Sequence, residues 1–209
     1  MSSKLRPMAR LLLTHGAGAP VESDFMRCLA EQLSQHGIEV ITFNFSYMQR
    51  QLNEGKKRPP SRAPILEEEF AQHIDNTEQD GIPLFIGGKS MGGRIATHML
   101  ANPDFKGRIQ GAVVYGYPFH PPGKPEKLRL AHFAHLHCPL LILQGERDTF
   151  GNKKEIETFS LSSQVSVDYL ADGDHSFKPR KASGFTQNAH IALAAKKTIS
   201  FVRAHRGRE

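Results

Sequence analysis

The chain has 209 residues, 39% hydrophobic and 23% charged, with 27 Lys plus Arg against 21 Asp plus Glu for a net charge of +6. That size and apolar content suit one globular domain, read as residues 1–209 with no separate lid, and exclude a disordered chain. No stretch approaches the roughly 18 apolar residues of a membrane span, and two cysteines without a CxxC spacing exclude a disulfide framework or a cysteine zinc site.

At the start, Lys4, Arg6 and Arg10 flank only Leu11, Leu12 and Leu13. An export signal needs an apolar region of about 7–15 residues, so a cytoplasmic location is expected. Apolar blocks of strand length then recur: Ala9 to Thr14, Ile38 to Phe43, Pro83 to Gly87, Ile109 to Tyr115, Pro139 to Gln144 and Val165 to Leu170. Most are continuous rather than alternating, which marks strands buried on both faces of a parallel sheet.

Helical segments separate these blocks. From Glu22 to His36, Phe25, Leu29 and Leu33 make one apolar stripe, and Gly37 follows as a stop. From Ala63 to Gln79, Leu66, Phe70 and Ile74 repeat that spacing. A third helix is expected from Ser90 to Ala101, and a last one from Gln187 to Arg206. Such alternation predicts an α/β fold with helices on both faces of a doubly wound, mostly parallel sheet. Two proline- and base-rich stretches, Gly55 to Pro64 and Pro118 to Pro125, follow strands and read as loops at the carboxyl edge. Open sheets of this kind bind ligands there.

The strand ending at Gly87 leads into Gly88-Lys89-Ser90-Met91-Gly92-Gly93. A GxSxG between strand and helix is the context of a nucleophile elbow. The serine sits on a strained turn, and side chains two residues either side would collide with neighbouring elements. A glycine-rich turn with an exposed serine is the plainer alternative. A phosphate-binding loop is rejected, because its first glycine would have to stand at Pro83.

A serine nucleophile needs a base, and the base needs an orienting acid. After the fifth strand comes Gly145-Glu146-Arg147-Asp148, and Asp148 is the candidate acid, with Glu146 the alternative. After the sixth comes Asp172-Gly173-Asp174-His175, and His175 is the candidate base among eleven histidines, singled out by order and position. Asp172 and Asp174 read as turn formers. Two backbone N–H groups are needed for an oxyanion. Met91, at a helix start, would supply one. Ala17 in the loop Thr14-His15-Gly16-Ala17-Gly18-Ala19 would supply the other, with Gly16 the fallback and His15 holding the loop by hydrogen bonds.

His15 to Gly18, Gly88 to Gly93, Leu141 to Asp148 and Gly173 to Phe177 together resemble the α/β-hydrolase superfamily along nearly the whole chain. The likeness is greatest to small bacterial serine hydrolases without a cap domain, near the dienelactone hydrolase-like branch. Phe45 to Met48, the Arg58-Pro59-Pro60 stretch with Arg62, and Gly116 to Pro125 carry that narrower likeness. The resemblance implies a Ser–His–Asp hydrolase and no particular substrate. Only about eight residues precede the first predicted strand, so the sheet is expected to lack the two leading strands usual in the larger family, and Ser90 stands where dienelactone hydrolases proper carry cysteine. Six strands in the order 2-1-3-4-5-6 would put the oxyanion loop and the nucleophile on either side of the switch point.

The expected chemistry is therefore cleavage of a small ester or thioester, with peptidase and acyltransferase activity open. A non-catalytic binding or scaffold protein on the same fold is the alternative. Arg58, Arg62 and Tyr117 are the candidate substrate-binding residues. Lys56, Lys57, Arg58, Arg62, Lys178, Arg180 and Lys181 either steer an anionic substrate or simply solvate the surface. The segment from Gly116 to Cys138 is too short for a lid but long enough to wall one side of a pocket. No cofactor, metal, nucleic acid or membrane partner is expected. His132, His135 and His137 read as a helix-end group rather than a metal site. Cys28 and Cys138 read as buried packing residues. The oligomeric state is not legible.

Overall fold

A computed structural model describes residues 6–77 and 80–207. Six parallel strands form one sheet in the order β2-β1-β3-β4-β5-β6. They are β1 (Ala9–Thr14), β2 (Ile38–Phe43), β3 (Leu84–Lys89), β4 (Gly111–Tyr115), β5 (Leu140–Gly145) and β6 (Val165–Leu170). The helices are α1 (Asp24–Ser34), α2 (Ser46–Glu54), α3 (Ala63–Asp75), α4 (Met91–Ala101), α5 (Lys153–Ile156) and α6 (Gln187–His205).

The continuous apolar runs do what their pattern predicts. Along β4, Ala112 and Val114 enter one core while Val113 and Tyr115 enter the other. Both faces need cover, because successive side chains of a strand point to opposite sides. α1 and α6 cover one face with Met26, Leu29, Leu33, Ile191 and Val202. α3 and α4 cover the other with Leu66, Phe70, Ile74 and Ile95. Central strands β1, β4 and β5 are buried throughout, whereas the edge strands β2 and β6 are only partly so.

The departures are local. α1 is two residues shorter at each end than its apolar stripe suggested, and Gly37 still follows with φ +83°. α3 ends at Asp75; Gln79, the expected end, lies outside the described residues, as does Lys4. α2 has no counterpart in the sequence reading. Its two buried residues, Tyr47 and Met48, are adjacent rather than a turn apart, so no helical stripe shows. Gly55 closes it in the left-handed region at φ +66°. Cys28 and Cys138 are free and only partly buried at the margins of the two cores. Among the described residues, no helix is long and apolar enough to cross a membrane.

Candidate active site

Ser90 sits between the end of β3 and the start of α4, with φ 49° and ψ −113°. A non-glycine residue held there costs about 1–3 kcal/mol, and the packing around it fixes the turn. A Cβ on Gly88 would lie 2.6 Å from the Gly92 carbonyl carbon and 2.9 Å from the Thr14 oxygen. A Cβ on Gly92 would lie 2.4 Å from the His15 oxygen, and one on Gly93 2.3 Å from Val114 Cγ1. The start of α4 is therefore pressed against the end of β1 and the side of β4. Ser90 N–H donates to the Tyr115 carbonyl at 3.0 Å, which ties the turn to β4.

His175 lies in the loop after β6 and reaches Ser90. Its Nε2 is 2.8 Å from Ser90 Oγ, and its Nδ1 is 2.7 Å from Asp148 Oδ2. Asp148 is fully buried in the loop after β5. Gln144 Nε2 donates to its Oδ2 at 2.9 Å, and the Phe150 N–H donates to its Oδ1 at 2.8 Å. A carboxylate held by these donors accepts the Nδ1 proton of His175, leaving the Nε2 lone pair facing the Ser90 hydroxyl. The Phe150 ring lies over the imidazole with centroids 4.3 Å apart.

The loops carrying these residues are braced from behind. Glu146 accepts the Asp172 N–H at 2.9 Å and pairs with Lys153, so it serves the scaffold. Asp174 Oδ1 accepts the N–H groups of Ser176 and Lys178 at 2.8 and 2.9 Å, as a turn former does. Asp172, with φ 54°, pairs with Arg147 and Arg180. A Cβ on Gly145 would lie 2.2 Å from the Asp174 oxygen, so the end of β5 touches the His175 loop directly.

On the opposite side stands the loop after β1. His15 is fully buried, and burial lowers its pKa, favouring the neutral imidazole. The Phe45 N–H donates to its Nε2 at 3.1 Å, so the ring proton is on Nδ1, which donates to the Gly16 carbonyl at 2.6 Å. Tyr47 Oη donates to the next carbonyl, that of Ala17, at 3.2 Å. In a planar trans peptide the N–H opposes the C=O. Fixing the Gly16 carbonyl on His15 thus turns the Ala17 N–H the other way. Gly16, Ala17 and Ser90 line one cavity of about 370 Å³, together with Phe25, Lys89 and His175.

Three expectations about substrate contacts are corrected. Tyr117 does not reach the cavity: it is fully buried against Phe119 and Phe133, and its hydroxyl donates to the Arg129 carbonyl at 2.6 Å. Arg58 and Arg62 do not line the cavity either. Arg58 is folded back by an ion pair to Glu54 on α2, and Arg62 precedes α3 as its N-cap. The segment from Gly116 to Cys138 contributes no residue to the cavity wall. It contains a 3-10 turn at Ala131–His135, where His132 Nε2 meets Thr97 Oγ1 at 2.8 Å.

Four residues that sequence reasoning did not single out also belong to the site. Gln144 left a signal, a polar residue closing an apolar strand, and it is fully buried. Tyr47, Phe150 and Lys89 left none that periodicity could reveal.

A serine, a histidine and an acid hydrogen-bonded in series at the carboxyl edge of a parallel sheet place the chain in the class of serine-centred α/β folds. The family described as alpha/beta hydrolase domain matches residues 7–203, and the chain belongs to it. A match to human monoglyceride lipase is 30% identical over 110 residues. It takes in 52% of this chain and 34% of that one, about a third of the curated relative's length. The fold is shared with the esterase domain of a Rhodothermus marinus protein (TM-score 0.66, 14% identity, covering 98% of this chain and 90% of that one). It is shared too with Est1E of Butyrivibrio proteoclasticus, solved with ferulic acid bound (0.70, 12%, 98% and 92%). Paleococcus ferrophilus monoacylglycerol lipase is a third (0.67, 13%, 95% and 96%).

Proposed function

We propose that the protein is a serine hydrolase that cleaves small esters or thioesters through an acyl-enzyme. The hydrogen-bonded series Ser90–His175–Asp148 is the observation that carries this reading. The named esterases and lipases among its relatives agree with it. Residues 1–209 would act as one hydrolase domain without a lid, and the two free cysteines fit a cytoplasmic setting.

In this mechanism Ser90 Oγ attacks the substrate carbonyl carbon while its proton passes to His175 Nε2. Asp148 holds the ring in the productive tautomer and stabilises the imidazolium. The carbonyl oxygen becomes an oxyanion and is met by the N–H groups of Met91 and Ala17. One such donor is worth about 3–4 kcal/mol in the transition state. The Met91 donor gains from its place at the first turn of α4, where the helix dipole favours negative charge. The intermediate collapses, His175 gives its proton to the leaving alcohol or thiol, and the acyl group stays on Ser90. Water then repeats the sequence, with His175 as base, and releases the acid.

Fluorophosphonate labelling read by intact mass tests the proposal. One adduct per chain that vanishes in Ser90→Ala is expected. A folded protein that takes no adduct would remove the hydrolase reading.

A further inference from the structure

The cavity beside Ser90 holds one cationic side chain, Lys89, among the described residues. Its partners are few for a charged group. Nζ donates to the His175 carbonyl at 2.7 Å and lies over the rings of Phe25 and Phe177, at 5.0 and 5.8 Å from their centroids. Among the described residues, no carboxylate stands within ion-pair distance of Nζ. An ammonium carries three donors, so two are left for something else. Taking a charge out of water is costly unless it is paired and hydrogen-bonded, and burial here lowers the Lys89 pKa to about 8. Neighbouring apolar walls, Ala17, Ala19, Phe25 and Met26, fit a short hydrocarbon chain.

We propose that Lys89 is a specificity-determining residue that selects esters bearing a carboxylate a few carbons from the scissile carbonyl. The inference rests on the hydrolase reading above and moves the expected anionic contact from the outer loops into the cavity. A single carboxylate matches the site better than a dianion. Among the described residues one Lys or Arg lines the cavity, and the negative charges of Asp148 and Asp174 act on the same ammonium. The Phe25 and Phe177 faces hold the lysine head in place without neutralising it.

The assay compares kcat/KM within two matched pairs. One pair puts the carboxylate in the acyl group (mono-p-nitrophenyl glutarate against p-nitrophenyl pentanoate). The other puts it in the alcohol (4-acetoxybutanoate against butyl acetate). In at least one pair the charged ester should lead, and Lys89→Gln should lower the charged-to-neutral ratio by about tenfold or more, the size of one charge-assisted hydrogen bond. Glutamine keeps a donor for the His175 carbonyl, and the ratio cancels any general loss of rate. A second readout needs no variant. As pH rises through about 8, Lys89 loses its proton and the wild-type ratio should fall. Because kcat/KM reports the free enzyme, any pH effect common to both esters of a pair cancels in the ratio. Ratios near one in wild type, or a ratio that Lys89→Gln leaves unchanged, overturn the assignment. If the variant does not fold, the pH series decides alone, and a flat ratio overturns it. No cleavage of any ester together with no fluorophosphonate adduct would sink the hydrolase reading instead.

Discussion

Replacing Asp148 by Asn changes one atom and leaves the volume intact, so its effect can be worked out from the hydrogen bonds around it. Oδ1 accepts the Phe150 N–H at 2.8 Å, and Oδ2 faces two donors, Gln144 Nε2 at 2.9 Å and His175 Nδ1 at 2.7 Å. The new amide has one oxygen and one NH2. If the oxygen stays with Phe150, the NH2 faces Gln144 and His175. Gln144 can turn its protons to the Tyr117 and Gly151 carbonyls, already at 3.2 and 3.0 Å. His175 can become an acceptor at Nδ1 by moving its proton to Nε2. One amide proton, the one facing Gln144 Nε2, is left without an acceptor, and Nε2 of His175 can no longer take the Ser90 proton. If the amide turns over instead, the part-buried Phe150 N–H meets an NH2 and loses its partner as well, which costs about 1–3 kcal/mol more. The unproductive arrangement therefore wins by about 5- to 150-fold, since 1.4 kcal/mol is a factor of about ten. Loss of the negative charge that stabilises the imidazolium adds to this, and kcat should fall by about 10⁴, the size seen when a triad histidine is held in the wrong tautomer. Thermal unfolding should shift only by the about 1–3 kcal/mol of that one unpaired N–H. The assay is initial-rate hydrolysis of p-nitrophenyl acetate with the melting curve alongside. A variant that keeps more than a tenth of wild-type kcat would refute the tautomer argument.

Two further outcomes follow from the packing and the histidines. Gly92→Ala should lose about 1–3 kcal/mol of stability through overpacking, because its Cβ would stand 2.4 Å from the His15 oxygen. Gly18→Ala, with nothing within 4 Å of its Cβ, should unfold like wild type in the same urea titration. Stability should also fall as pH drops below about 6.5. Burial lowers the pKa of His15, His73, His98 and His132, the last to about 3. The unfolded chain then binds more protons than the native one, so acid favours unfolding. Asp80, Glu146 and Asp172, also lowered, join only below the ordinary carboxylate range. Urea midpoints at pH 7.5, 6.5 and 5.5 that coincide would contradict the histidine assignment.

Much of the fold was legible because it is written in local patterns. Continuous apolar runs announce strands buried on both faces, and Gly88, Ser90 and Gly92 announce the turn between β3 and α4. Strand ends then locate Asp148 and His175 without any knowledge of distances. What stayed hidden depends on tertiary direction. Tyr117 follows a strand end, as site residues do, yet turns into the core to meet Arg129. Lys89 sits inside the most conspicuous motif of the chain, but its role depends on Phe25 and Phe177, which arrive from distant segments. The helix Ser46–Glu54 escapes because its buried pair is adjacent in sequence. For His15, position suggests a loop-holding role; which nitrogen carries the proton emerges only from the Phe45 amide.

The His175 loop hangs from β6, which among the described residues is an edge strand paired with β5 alone. Edges are where native proteins open first, in units smaller than the whole domain. Fraying of this edge would carry His175 away while β1, β3 and β4 still hold Ser90 and its turn. Activity would then vanish before most of the backbone amides exchange. Such an enzyme reports on its own least protected boundary, and its thermal inactivation would run ahead of its global melting.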